Sequence, residues 1–311
     1  MSEDMPAADR GVISGQAVVD FSHLTSPQDL ADITRIEGVG AVVVPQSLAA
    51  AYAAIPCSGV GGTVYVPDDA NVRVHTGPIM AGGDGLGAAA DVLVVVGMLI
   101  ITSPVTGTVP RRISVVGSVL APRGSEQALG PVLDGVGNVI YYRQSEGQDV
   151  KVLTGQVKLS GAMLANPAGQ PDDILLAAGQ VVVTGSPASV GYAQMIITGQ
   201  LIAPEASREV LEPRVQVHGQ SVWYCSDTPR IIFEDMHVGA DFFRLLDHPV
   251  SLVLLGDLSI APDVTKTLVQ QKVADIILLG DITAPADLVP VLQVLATDAF
   301  GTIRASDGPG S

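Results

Sequence analysis

The chain has 311 residues, with 32 acidic against 16 basic side chains and a formal charge of −16. This charge excludes a phosphate-backbone binder, whose affinity comes from Lys and Arg displacing counterions. It also opposes docking on anionic lipid. Hydrophobic residues make up 47% and aromatics only 4%, so Val, Leu, Ile and Ala supply a core and disorder is excluded as the main state.

Residues 1–14 read as a polar, acidic tail with no signal-peptide pattern. From Gly40 and Gly62 onward, glycines fall inside apolar stretches at near-regular spacing. After Gly77 come Gly97, Gly117, Gly137, Gly155, Gly179, Gly199, Gly219, Gly256, Gly280 and Gly301, in steps of 20, 20, 18, 24, 20, 20, 37, 24 and 21. The step of 37 is two coils with the middle marker missing, and Ile231–Val238 supplies the intervening strand. Residues flanking the markers repeat too. Ile113–Pro122, Met195–Pro204, Leu252–Pro262 and Ile276–Pro285 each run through a glycine to an Ala-Pro.

In the last copy Ile276, Leu278, Gly280, Ile282 and Ala284 share one face, and Ile277, Leu279, Asp281 and Thr283 the other, which is the strand period. Proline cannot donate a ladder hydrogen bond, so each Ala-Pro ends a strand. Residues 287–295 could form two helical turns, whereas other connections are too short or too proline-rich. The sequence therefore predicts a β-rich solenoid over residues 15–305, a single repeat domain of about 13 coils of roughly 20 residues. A parallel β-ladder forms one side, and short helices or irregular turns form the other. Residues 306–311 are a second tail. Inward glycines are expected to stack in a column and let the opposite wall approach.

This pattern resembles leucine-rich-repeat and parallel β-helix proteins, which also stack coils of 20-odd residues. The leucine-rich signature itself is not kept, because glycine occupies the comparable place. The resemblance implies a coil architecture and assigns no functional residue.

Several features could carry function. The residue after each marker should face outward, which predicts an amide ladder through Gln156, Gln180, Gln200 and Gln220. Asp257 and Asp281 fall on the same stripe in adjacent coils. Two carboxylates so placed would raise one pKa, and glycoside hydrolysis uses such a pair. Residues 223–243 gather five of the aromatics beside acids and His237, so Trp223, Tyr224 and His237 form a possible binding patch. Gly83–Ala88 superficially fits a dinucleotide glycine motif, but a strand follows it where a helix is needed. Cys57 and Cys225 read as core thiols, and no metal or cofactor motif is present.

Val94, Val96, Met98 and Ile100 should point outward, as should Val253, Leu255, Ile277 and Leu279. Such a face is covered either by another layer of the chain or by another molecule. Solenoid ends left open would stack head to tail. The function expected is a non-enzymatic scaffold, cytoplasmic and without membrane insertion, that binds itself or another protein through these apolar strands and through its ends. A polysaccharide-active enzyme using Asp257 and Asp281 is the alternative.

Overall fold

The computed structural model describes residues 11–86, 90–135, 137–226 and 229–306. Residues 1–10 and 307–311, most of the two expected tails, lie outside these, as do Gly87 and Ala88 of the glycine motif. The protein is β-rich, with 45% of its residues in strands. Every strand pairing among the described residues is parallel. No helix among them is long and apolar enough to cross a membrane. The chain divides into two compact units after Glu146.

The first unit opens with short strands taken two per rung: β1 (Val12–Ser14), β2 (Val18–Asp20), β3 (Arg35–Glu37), β4 (Ala41–Pro45), β5 (Cys57–Ser58) and β6 (Thr63–Val66). The odd strands form one three-stranded sheet and the even strands another. Val12–Ser14, placed in the tail by the sequence pattern, is thus a paired strand. Long strands follow: β7 (Val72–Ala81), β8 (Val92–Ile101) and β9 (Arg112–Pro122). The fourth rung is broken into β10 (Leu133–Asp134) and β11 (Asn138–Tyr142), both paired with β9. Short helices α1 (Ala49–Ala53) and α2 (Glu126–Leu129) lie on the return paths.

The second unit begins with four long strands in order, β12 (Val150–Ser160), β13 (Ile174–Thr184), β14 (Gln194–Pro204) and β15 (Val215–Tyr224). Their returns carry α3 (Gly161–Leu164) and α4 (Arg208–Leu211). Two-strand rungs follow: β16 (Arg230–Ile232) with β17 (Met236–Val238), β18 (Val250–Leu254) with β19 (Leu258–Ile260), β20 (Val273–Leu278) with β21 (Ile282–Ala284), and β22 (Ala296–Ala299) with β23 (Ile303–Ala305). Helices α5 (Ala240–Arg244), α6 (Lys266–Lys272) and α7 (Val289–Leu295) close the first three of these rungs. Thr265 caps α6 by accepting the Leu268 N–H.

The marker glycines stand in register. Gly77, Gly97 and Gly117 pair rung to rung, as do Gly155, Gly179, Gly199 and Gly219. Their reason differs from the expected close approach of an opposite wall. Gly199 has φ +134°, and a Cβ there would sit 2.1 Å from the Gly179 carbonyl oxygen. At Gly97, Gly117, Gly179, Gly199 and Gly219 the backbone of the preceding rung occupies the space a side chain would need, whereas Gly77 and Gly155, which head their stacks, meet nothing within 4 Å.

The long-strand blocks of the two units are copies of one plan. Gly97, Gly117 and Gly137 recur 82 residues later as Gly179, Gly199 and Gly219. Pro122, Ser125, Leu129 and Tyr142 recur at the same offset as Pro204, Ser207, Leu211 and Tyr224. Ser125, Leu129, Ser207 and Leu211 are all fully buried.

Each block has its own interior, as the alternation predicts. Leu175, Ala177, Val181 and Val183 line one, with Met195, Ile197 and Leu201. Leu252, Leu254, Leu258 and Ile260 line another, with Ile276, Leu278, Ile282 and Ala284.

The opposite strand faces are buried as well. In the second unit Val253 and Ile277 lie in one cluster with Val182, Ile202, Val222 and Tyr224, and Leu255 and Leu279 pack at its margin. In the first, Val92 and Val94 meet Val43, Val64 and Val66. A Cβ on Gly62 would stand 3.2 Å from Val116, and one on Gly40 would stand 3.4 Å from Val96. Val94, Ile100, Val253 and Ile277 are therefore inside the fold, and Val96, Met98, Leu255 and Leu279 are half-buried. This corrects the expectation of an exposed apolar outer face. Within each unit the long-strand and two-strand blocks cover each other's outer faces, and burying each such side chain contributes about 1.5–3 kcal/mol.

Candidate functional site

Three polar constructions lie along the rungs of the second unit. The first is the glutamine ladder. Gln156 Nε2 donates to Gln180 Oε1 at 2.9 Å, Gln180 Nε2 to Gln200 Oε1 at 2.8 Å, and Gln200 Nε2 to Gln220 Oε1 at 2.9 Å. The parallel register places the four side chains on one line. In the first unit the corresponding residues are Pro78, Met98, Ser118 and Asn138, which carry no such ladder.

The second construction is a column of aspartates at the corners of the two-strand rungs. Asp235 Oδ1 accepts the Asp257 N–H at 3.0 Å, and Asp257 Oδ1 accepts the Asp281 N–H at 2.8 Å. Asp281 Oδ1 accepts the Thr302 N–H at 2.7 Å and the Thr302 hydroxyl at 2.9 Å. These bonds to Thr302, helped by Arg304 at 3.4 Å, hold the Asp281 carboxyl below its ordinary value. The expectation of a mutually repelling pair with one raised pKa is thus corrected for Asp281. Its carboxylate is stabilised in the charged form, because it stitches one rung to the next.

The third is a buried link in the same unit. Ser251 and Asp275 are both buried, and the Ser251 hydroxyl donates to Asp275 Oδ1. Asp275 Oδ2 accepts the Cys225 N–H at 3.2 Å, and Ser251 Oγ accepts the Ser226 N–H at 2.9 Å. These three hydrogen bonds fasten the chain leaving β15 to strands β18 and β20.

The residues of the expected aromatic patch go to different tasks. Tyr224 is fully buried, with its hydroxyl donating to the Val183 carbonyl at 2.7 Å. Trp223 lies under the Arg208 guanidinium, 4.8 Å from its ring centre, and lines a hollow with Leu201, Leu211 and Val217. His237 is exposed and pairs with the Ser259 hydroxyl at 3.2 Å, beside a separate hollow lined by Asp235, Asp257 and Thr283. The patch is therefore not assembled, because alternation sends Trp223 and Tyr224 to opposite faces of one strand. Cys57 and Cys225 are exposed, not core thiols. Cys57 opens the short strand β5, and Cys225 directly follows β15.

Comparison with family models, with curated proteins and with solved structures found no match.

What the sequence pattern missed is where the strand stacks end. The long-strand sheet of the second unit has two edges, β12 and β15. Gln216, His218, Gly219, Gln220 and Ser221 of β15 are exposed, as are Thr154, Gly155, Gln156 and Lys158 of β12. The central rungs carry Ile196, Leu201 and Val182 at the equivalent positions, all buried. That polar replacement was the available signal. Edge strands present unpaired backbone N–H and C=O groups, a template for pairing with another chain.

Proposed function

We propose that this chain is a structural repeat protein, a solenoid-type scaffold of stacked β-rungs that assembles through the open edges of its long-strand stacks. The observation that carries this reading is the pair of uncovered edges, β12 and β15, each 10 or 11 residues long and exposed along its middle. Long parallel edges of this kind add strands readily, because main-chain hydrogen bonds provide affinity and in-register side chains provide specificity. The apolar faces offer less support for assembly than the edges do, since their own unit covers them. The aspartate and glutamine columns favour a mechanical role as well: their polar atoms bond rung to rung.

Light scattering on the purified chain over a range of concentrations tests the reading, with negative-stain images of the same samples. The expected result is a mass that rises with concentration above the 31.9 kDa of one chain. A mass of one chain at every concentration would overturn it.

A further inference from the structure

Resting on the self-assembly reading, we infer that the β15 edge of one copy pairs in parallel with the β12 edge of a second copy, Gly219 against Gly155 and Gln220 against Gln156. The glutamine ladder would then run on from chain to chain.

Sterics favour this pairing. Along this stack, a Cβ on Gly179, Gly199 or Gly219 would strike the carbonyl oxygen of the preceding rung's glycine at 2.2, 2.1 and 1.9 Å. Gly155 heads the series with φ +81°, and a Cβ there would meet nothing within 4 Å. The space below it is where a preceding rung's glycine carbonyl belongs. Gly219 of a second copy supplies that carbonyl, and Gly155 is the residue that admits it.

The ladder is also polar. Every amide donates in the same direction, from Gln156 toward Gln220. The ladder therefore ends in an acceptor, Gln156 Oε1, and a donor, Gln220 Nε2. Two copies placed edge to edge bring the unlike ends together. Reversing every amide would reverse the ladder and leave its ends complementary.

The register is compatible as well. Continuing the β14–β15 alignment by one rung puts Lys151 opposite Val215, Lys158 opposite Val222, Leu153 opposite Val217 and Thr154 opposite His218. Neither lysine faces a like charge, which would oppose pairing. The edge of the first unit that corresponds to β12 is β7. It has Pro78 at the glutamine position and so cannot extend the ladder.

The test is a disulfide trap. With Cys57→Ser and Cys225→Ser as background, Gln156→Cys and Gln220→Cys are introduced together. Within one chain these positions are three rungs apart, about 14 Å, too far for a disulfide. The expected result on oxidation is a series of covalent multimers on a non-reducing gel, with each single-cysteine control stopping at a dimer. Gln156→Lys with Gln220→Lys should lower the assembled mass, and Gln156→Glu with Gln220→Lys should restore it. If the unmodified chain assembles but no trap forms and the charge pairs change nothing, this pairing is wrong while self-assembly stands. If the unmodified chain keeps the mass of one chain throughout, both fall.

Discussion

Tyr142 and Tyr224 make the same hydrogen bond in two different units. The Tyr142 hydroxyl donates to the Ile101 carbonyl at 2.6 Å, and the Tyr224 hydroxyl donates to the Val183 carbonyl at 2.7 Å. Each tyrosine sits five residues after its marker glycine, is fully buried, and reaches back two rungs. Burial also pushes the Tyr142 pKa up, which keeps its hydroxyl protonated as a donor. The pair locks the fourth rung of each stack onto the second. Tyr142→Phe and Tyr224→Phe should each cost about 1–2 kcal/mol, since each leaves a buried carbonyl short of a partner. The two costs should add in the double variant, as expected for residues with no shared partner. Urea denaturation of the three variants measures this, and a near-zero cost for either would show that the bond is incidental.

Gly199 and Gly155 should respond differently to the same substitution. Alanine at Gly199 must adopt φ +134° and push against the Gly179 carbonyl, at a cost of at least about 3 kcal/mol. Alanine at Gly155 meets open space within the chain, leaving only the positive-φ strain of about 1–2 kcal/mol. Equal losses in thermal stability would contradict the rung-against-rung origin of the glycine column.

Ile277→Glu tests whether the outer strand face is interior. Ile277 is fully buried in the cluster that joins the two blocks of the second unit. A carboxylate there lacks a partner, so the variant should lose several kcal/mol of stability. Had this face been a docking surface, the variant would fold normally and only lose assembly. Circular dichroism during thermal melting distinguishes the two outcomes.

Acid should weaken the second unit through Asp173. This buried carboxylate accepts from Asn166 Nδ2 at 2.9 Å, from the Gln170 N–H at 3.0 Å, and pairs with Lys151 at 3.0 Å. The Asn166 hydrogen bond, followed by that of Lys151, holds its pKa below the ordinary 3.8. Asp281 is depressed in the same sense by Thr302. A carboxyl whose folded pKa is lowered stabilises the fold above its unfolded value, and the gain disappears as pH falls through the folded value. Denaturation midpoints should therefore drop below pH 3.8, and Asp173→Asn should flatten that drop. An unchanged acid slope in the variant would remove Asp173 from the account.

Much of the architecture was legible in the sequence because it repeats. Alternation through Gly280 correctly divided Ile276 and Leu278 from Ile277 and Leu279, and the spacing of Gln156, Gln180, Gln200 and Gln220 marked a line that the register makes real. The covering of Val253 and Ile277 was not legible, because alternation tells which residues share a face but not which other face meets it. The 82-residue copy was hidden beneath the shorter period, since a 20-residue repeat makes every longer multiple look ordinary. The role of Asp257 and Asp281 depended on carboxylate-to-backbone bonds, which spacing cannot reveal. The stack ends were marked by Gln216, His218 and Ser221 standing where the adjacent inner rung carries Ile196, Thr198 and Leu201, and by Lys158 standing where its own neighbouring rung carries Val182.

The most direct test of assembly through the rung edges is amide hydrogen exchange of β15, followed by mass spectrometry of peptides spanning Val215–Tyr224 at low and high protein concentration. Among the described residues β15 pairs with a strand on one side only, β14. The account predicts that exchange over residues 215–221 slows as concentration rises, together with exchange over residues 150–158 of β12. Exchange in both segments at the same rate at every concentration would contradict it.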